Sequence, residues 1–129
     1  MKPSMSETDP WLDDMMLRGI FMRFYHNPRC SKSRQALALL SEEGIEVEVV
    51  RYLEVGIHEE DLPVLAHLDG VVRKKEAGAE AMASLNGHDK IVSFLRANPR
   101  TLERPILVIN GKAVIGRPPE NVLSLLGDN

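Results

Sequence analysis

The sequence predicts an α/β fold built on a mixed sheet, and three observations carry that prediction. An apolar stretch from Ile20 to Tyr25 runs through a turn into an amphipathic helix and then into an alternating segment, which reads as β-α-β. Two apolar runs flank Asn110-Gly111 and read as a β-hairpin. The interval between them, about 57–98, carries helical patterning instead, so the order is β-α-β, a helical insertion, then β-β-α.

Each element has its own signal. Ile20 to Tyr25 is rich in β-formers and ends at Asn27-Pro28. From Ser31 to Glu43, residues Ser33, Ala36, Leu37 and Leu40 recur at three- and four-residue spacing, and Gly44 follows as the helix stop. Glu46 to Val49 alternates polar and apolar ahead of Tyr52 and Leu53, the period of a half-buried strand. Leu62, Leu65, Ala66 and Leu68 share a helical face ended by Gly70, and an Ala-rich stretch at Ala77 to Leu85 reads as a weaker helix. Asp89 to Ala97 carries Ile91, Val92, Phe94 and Leu95 inward and stops before Asn98-Pro99, because proline disfavours helical geometry in the residue ahead of it. Ile106 to Ile109 and Lys112 to Ile115 flank an Asn-Gly pair suited to the positive φ of a type I′ turn. Pro118-Pro119 opens a last helix with Val122, Leu123 and Leu126 on one face. With a cysteine on the first strand-to-helix turn and a proline entering the third strand, this order resembles a thioredoxin-like fold with a helical insertion.

Composition narrows the function. The 129 residues hold 16 Lys and Arg against 19 Asp and Glu, and 43% are hydrophobic, as in an ordinary globular domain. A chain of this length buries roughly two-thirds of its unfolded surface, enough for a core without disulfides or structural metal. A formal charge of -3 argues against a general nucleic-acid binder or a polybasic membrane-surface protein. A single cysteine excludes an intramolecular disulfide, and no apolar run reaches the ~18 residues of a membrane span. The first residues lack a signal-peptide core, so a cytoplasmic location is expected, with residues 1–19 as a flexible extension and 20–129 as one domain. The histidines His26, His58, His67 and His88 are scattered and no phosphate-cradling glycine motif stands in the chain, so neither a metal site nor a bound nucleotide cofactor is indicated.

The chemistry concentrates at Cys30. A thiol reacts as thiolate, and its pKa falls when the sulfur sits at a helix N-terminus near cationic groups. Cys30 sits at such a position, with His26, Arg29, Lys32 and Arg34 within four residues. The plainer alternative is that a lone cysteine is a small buried apolar residue. Its place at the carboxyl end of a strand, where α/β sheets bind ligands, favours the reactive reading.

Two segments carry a family resemblance. F-Y-H-N-P-R-C-S-K-S-R resembles the active-site motif of the glutaredoxin-coupled, ArsC-type arsenate reductases, and E-R-P-I-L-V-I-N-G-K-A-V-I-G-R-P-P-E resembles their C-terminal signature. The resemblance implies that Cys30 attacks arsenate, that His26 helps lower the thiol pKa, and that Arg104 and Arg117 hold the oxyanion. It places a third arginine at Arg73, with Lys74 or Lys75 as the alternative if the register shifts. It implies a cis bond at Pro105 and a structural place near the site for Asn27. Ser33 stands where thioredoxins carry a second cysteine, so an outside thiol is required; helix capping or packing is its plainer role. Glutathione is then a co-substrate and glutaredoxin a partner, with no bound cofactor and a monomeric protein.

Charge explains the need for arginines. A thiolate about 4 Å from a dianion feels repulsion of roughly 8 kcal/mol at an effective dielectric of 20. Guanidinium groups stay charged and donate paired hydrogen bonds to tetrahedral oxyanions. Without the resemblance, most of these arginines would simply be surface residues. Phosphatase-like reductases need C-x5-R, and Ala36 stands where that arginine would be. Two other readings use the same fold: a glutathione-dependent thiol reductase acting on another substrate, and an Spx-like regulator that binds RNA polymerase, which typically carries the C-x-x-C that C-S-K-S lacks.

Overall fold

The computed structural model describes residues 22–126. Strand β1 (Met22–Tyr25) leads into helix α1 (Ser31–Glu42), and β2 (Glu48–Val50) follows. The insertion is a series of short helical pieces: α2 (Tyr52–Val55), a 3-10 turn (Glu59–Asp61), α3 (Leu62–Leu65), α4 (Lys74–Ala77), α5 (Ala79–Ser84), α6 (His88–Ala97) and a second 3-10 turn (Pro99–Thr101). Strands β3 (Ile106–Ile109) and β4 (Lys112–Ile115) and a terminal 3-10 segment (Pro119–Ser124) complete the chain.

The strand order is β2-β1-β3-β4, with β1 and β2 parallel and the other pairs antiparallel. Alternation sorts the central strands into two cores. Phe24 and Leu107 face α1 and the C-terminal segment, packing with Ala36, Leu40 and Val122. Tyr25, Ile106 and Val108 face the insertion, packing with Leu62, Leu65, Leu95 and Leu102. Buried on both faces, these strands read as near-continuous apolar runs.

Several expectations hold in detail. The hairpin strands fall at the expected residues, and Asn110 and Gly111 have φ of 50° and 88°. Helix α1 buries Ser33, Ala36 and Leu40. It ends in a Schellman motif: the Ile45 amide donates to the Leu40 carbonyl at 2.9 Å and the Gly44 amide to Ser41 at 3.0 Å.

Other details are corrected. The second strand is short, Glu48 to Val50, and it is Val50 rather than Val49 that is buried in the core, with Tyr52 and Leu53 beginning a helical turn. The helical stretch expected at Ala77 to Leu85 is broken by Gly78, whose φ of 90° suits glycine and interrupts the helix. The last helix is 3-10, because its short turns bind three residues back and Ser124 Oγ donates to the Asn121 carbonyl at 2.8 Å. The expectations for residues 1–19 lie outside the described residues. Among the described residues, no helix is long and apolar enough to cross a membrane.

A buried polar cluster ties β1 to the insertion. Asp61, 4% exposed, accepts from Arg23 Nε at 2.8 Å and from the Tyr25 hydroxyl at 2.6 Å. The His58 amide donates to that same hydroxyl at 3.2 Å. Burial, then the bond to Asp61, pushes the Tyr25 phenol pKa far up, so it stays a donor.

Candidate active site

The site forms where the parallel strands β1 and β2 end. The turn after β1 is ordered by Asn27, whose carbonyl accepts from the Cys30 amide and whose side-chain oxygen accepts from the Arg29 amide, both at 2.9 Å. Cys30 is the N-cap of α1, with extended backbone at φ -92° and ψ 122°. It is partly buried. Burial alone would raise its pKa, but the amides of Ser33 and Lys32 and the Arg104 guanidinium outweigh it, and the thiol ionises below its ordinary range.

The structure brings both signature arginines to the sulfur. Arg117 Nη2 lies 3.5 Å from Cys30 Sγ, while its Nε donates to the Arg104 carbonyl at 2.8 Å. Arg104 supplies the largest side-chain influence favouring the thiolate. Both Arg104-Pro105 and Arg117-Pro118 are cis; the first was expected and the second was not. Gly116 precedes Arg117 where a Cβ would meet Pro105 Cγ and Val122 Cγ1 at 2.9 Å.

Arg73 is the basic residue of its R-K-K triplet that joins this cluster, whereas Lys74 and Lys75 are exposed. It does so through two carboxylates that the sequence analysis did not single out. Arg73 donates to Glu103 Oε1 at 2.7 Å and to Glu76 Oε1 at 2.9 Å. Glu103 Oε1 also lies 3.4 Å from Arg117 Nε, and Glu76 Oε2 lies 3.7 Å from Arg104 Nη1. Three guanidinium charges thus face two carboxylates, which leaves a net positive charge beside Cys30.

His26 is tied to the helix that follows Cys30. Its Nδ1 is 2.6 Å from Ser33 Oγ, and burial, reinforced by Arg51 and Arg34, lowers its pKa. The lowered pKa favours the neutral ring. Ser33 is fully buried and also accepts from the Asn27 amide at 3.1 Å, so it braces the turn that carries Cys30.

A thiol of lowered pKa at a helix N-terminus, beside guanidinium groups on a sheet of this order, defines a thioredoxin-like protein with a cysteine set among arginines. Residues 25–125 match the ArsC family, and the chain belongs to it. It is 42% identical over 118 residues to the uncharacterized protein YfgD of Escherichia coli, covering 82% of this chain and 97% of that one. It is 40% identical over 114 residues to an arsenate reductase of Neisseria meningitidis, covering 81% and 97%. The solved arsenate reductase from Vibrio cholerae superposes with a TM-score of 0.68 at 38% identity, covering 81% of this chain and 97% of that one.

Proposed function

We propose that the protein is a glutathione- and glutaredoxin-dependent arsenate reductase working through Cys30. The observation that carries the reading is the Cys30 sulfur held 3.5 Å from Arg117 Nη2 with Arg104 favouring its ionised form. Relatives named arsenate reductase at about 40% identity support the substrate.

In this reading the tetrahedral oxyanion takes hydrogen bonds from Arg104 and Arg117 that offset its repulsion from the thiolate. The thiolate attacks arsenic, an As–S bond forms, and one arsenate oxygen leaves as water after protonation. Glutathione thiolate then attacks the Cys30 sulfur; the As–S electron pair stays on arsenic, which leaves as arsenite, reduced by two electrons. The two sulfurs are left as a mixed disulfide. Ser33 replaces a resolving thiol, so glutaredoxin clears that disulfide by exchange. The protein works in the cytoplasm, as a monomer and without a bound cofactor.

A coupled assay with arsenate, glutathione, glutaredoxin and NADPH tests this. Wild type turns over, Cys30→Ser is inactive, and Arg104→Ala loses at least about a hundredfold in kcat/KM. Turnover that survives Cys30→Ser ends the mechanism. Reduction of glutathionylated peptides with none of arsenate reassigns the protein as a thiol reductase.

A further inference from the structure

We propose that the Tyr52 hydroxyl is a further substrate-binding group of this site, donating a hydrogen bond to an oxygen of the anion held over Cys30. The proposal rests on the arsenate reading and extends it to a residue outside both signature segments.

Topology puts Tyr52 at the site. Val50 pairs with Tyr25 across parallel strands, and the His26 amide donates to the Val50 carbonyl at 2.9 Å. The chain leaving β2 therefore runs beside the turn that carries Asn27 and Cys30. Tyr52 is the first residue of α2, two residues beyond that pairing. Its phenol lies within electrostatic range of Arg104, Cys30 and Arg73 and beside the Asn27 side chain.

The hydroxyl has the Asn27 side chain beside it but makes no hydrogen bond of good geometry within the described residues. Tyr52 is 1% exposed, and its ring packs in the core against the insertion. Yet among the described residues its hydroxyl has no hydrogen-bond partner, and Arg104 Nε, also buried, shares that condition. An unpartnered buried hydroxyl costs about 1–3 kcal/mol, so a phenylalanine would serve the core better. Two such donors near one reactive sulfur are explained by a ligand that accepts from both. Burial raises the phenol pKa against the opposing pull of Arg104, so the group remains protonated and donates.

Tyr52→Phe tests the assignment, because it keeps the ring and removes only the donor. Four quantities are measured: KM and kcat for arsenate, the pH dependence of Cys30 alkylation, and the Tm of the ligand-free protein. The expected result is a rise in KM of about tenfold with kcat within about twofold, an unchanged alkylation midpoint, and a Tm equal to or above that of wild type. An unchanged KM in an active variant overturns the proposal while leaving the arsenate reading in place. A lower Tm together with a shifted alkylation midpoint also overturns it, since the phenol would then be propping the site. A wild-type protein inert toward arsenate removes the arsenate reading itself, and the proposal with it.

Discussion

Arg73 Nη1 donates to Glu103 Oε1 at 2.7 Å, and that oxygen also accepts from the Arg104 amide at 3.1 Å. With Arg117 Nε 3.4 Å away, one carboxylate oxygen stands among the same arginines that an incoming oxyanion needs. Under the proposed function, anion binding exchanges carboxylate for substrate, and Glu103 sets its threshold. Glu103→Gln keeps an acceptor while deleting the charge. It lowers KM for arsenate by about three- to tenfold and strengthens inhibition by phosphate, both read from steady-state kinetics. A higher KM means that Glu103 chiefly positions the arginines.

Arg104 governs thiol ionisation more directly than any other side chain. In Arg104→Ala the midpoint of the pH profile for Cys30 alkylation rises toward that of an ordinary thiol, and alkylation at neutral pH slows several-fold. An unmoved midpoint would leave the helix amides and Arg117 as the cause.

The His26 ring makes stability depend on pH with a definite sign. Its folded pKa is lowered, so the unfolded chain binds a proton first as pH falls through the ordinary imidazole range. Stability at neutral pH is thus lost on the acid side of about pH 6.5 and not on the alkaline side. Urea midpoints between about pH 7.5 and pH 5 record this loss. His26→Gln flattens the slope in that window even though it lowers overall stability.

Asp61 accepts from Arg23 and Tyr25 in the interior, so Asp61→Ala leaves a buried guanidinium and a phenol without their main acceptor. The expected cost is about 3–5 kcal/mol. Glu60, which is exposed, also accepts from Arg23 at 2.6 Å, and Glu60→Ala costs about 1 kcal/mol or less. Denaturant unfolding of both variants separates the two.

Much of the frame was legible because its signals are local. Asn110-Gly111 names its own turn, Gly44 its own helix stop, and the cysteine-bearing turn lies between a strand and a helix that both have clear periods. The insertion was legible only as helical, since its pieces of about one turn are set by tertiary packing and by Gly78 rather than by propensity. Within the site, Cys30, Arg104 and Arg117 stood out by motif. Glu103 adjoins Arg104, and Glu76 lies three residues after Arg73, a spacing that suggests no more than a surface pair on a helix. Tyr52 carried no functional reading in the sequence, standing just after the alternating segment. Its position just past the carboxyl end of a parallel strand was the available signal.

Gly116 carries no functional group, yet it governs how closely the backbone before Arg117 approaches Pro105 and Val122. Any side chain there must push aside a proline ring or a packed valine, and the displacement would pass straight to the neighbouring guanidinium. A substitution at this position would therefore act on the placement of Arg117 through the main chain alone.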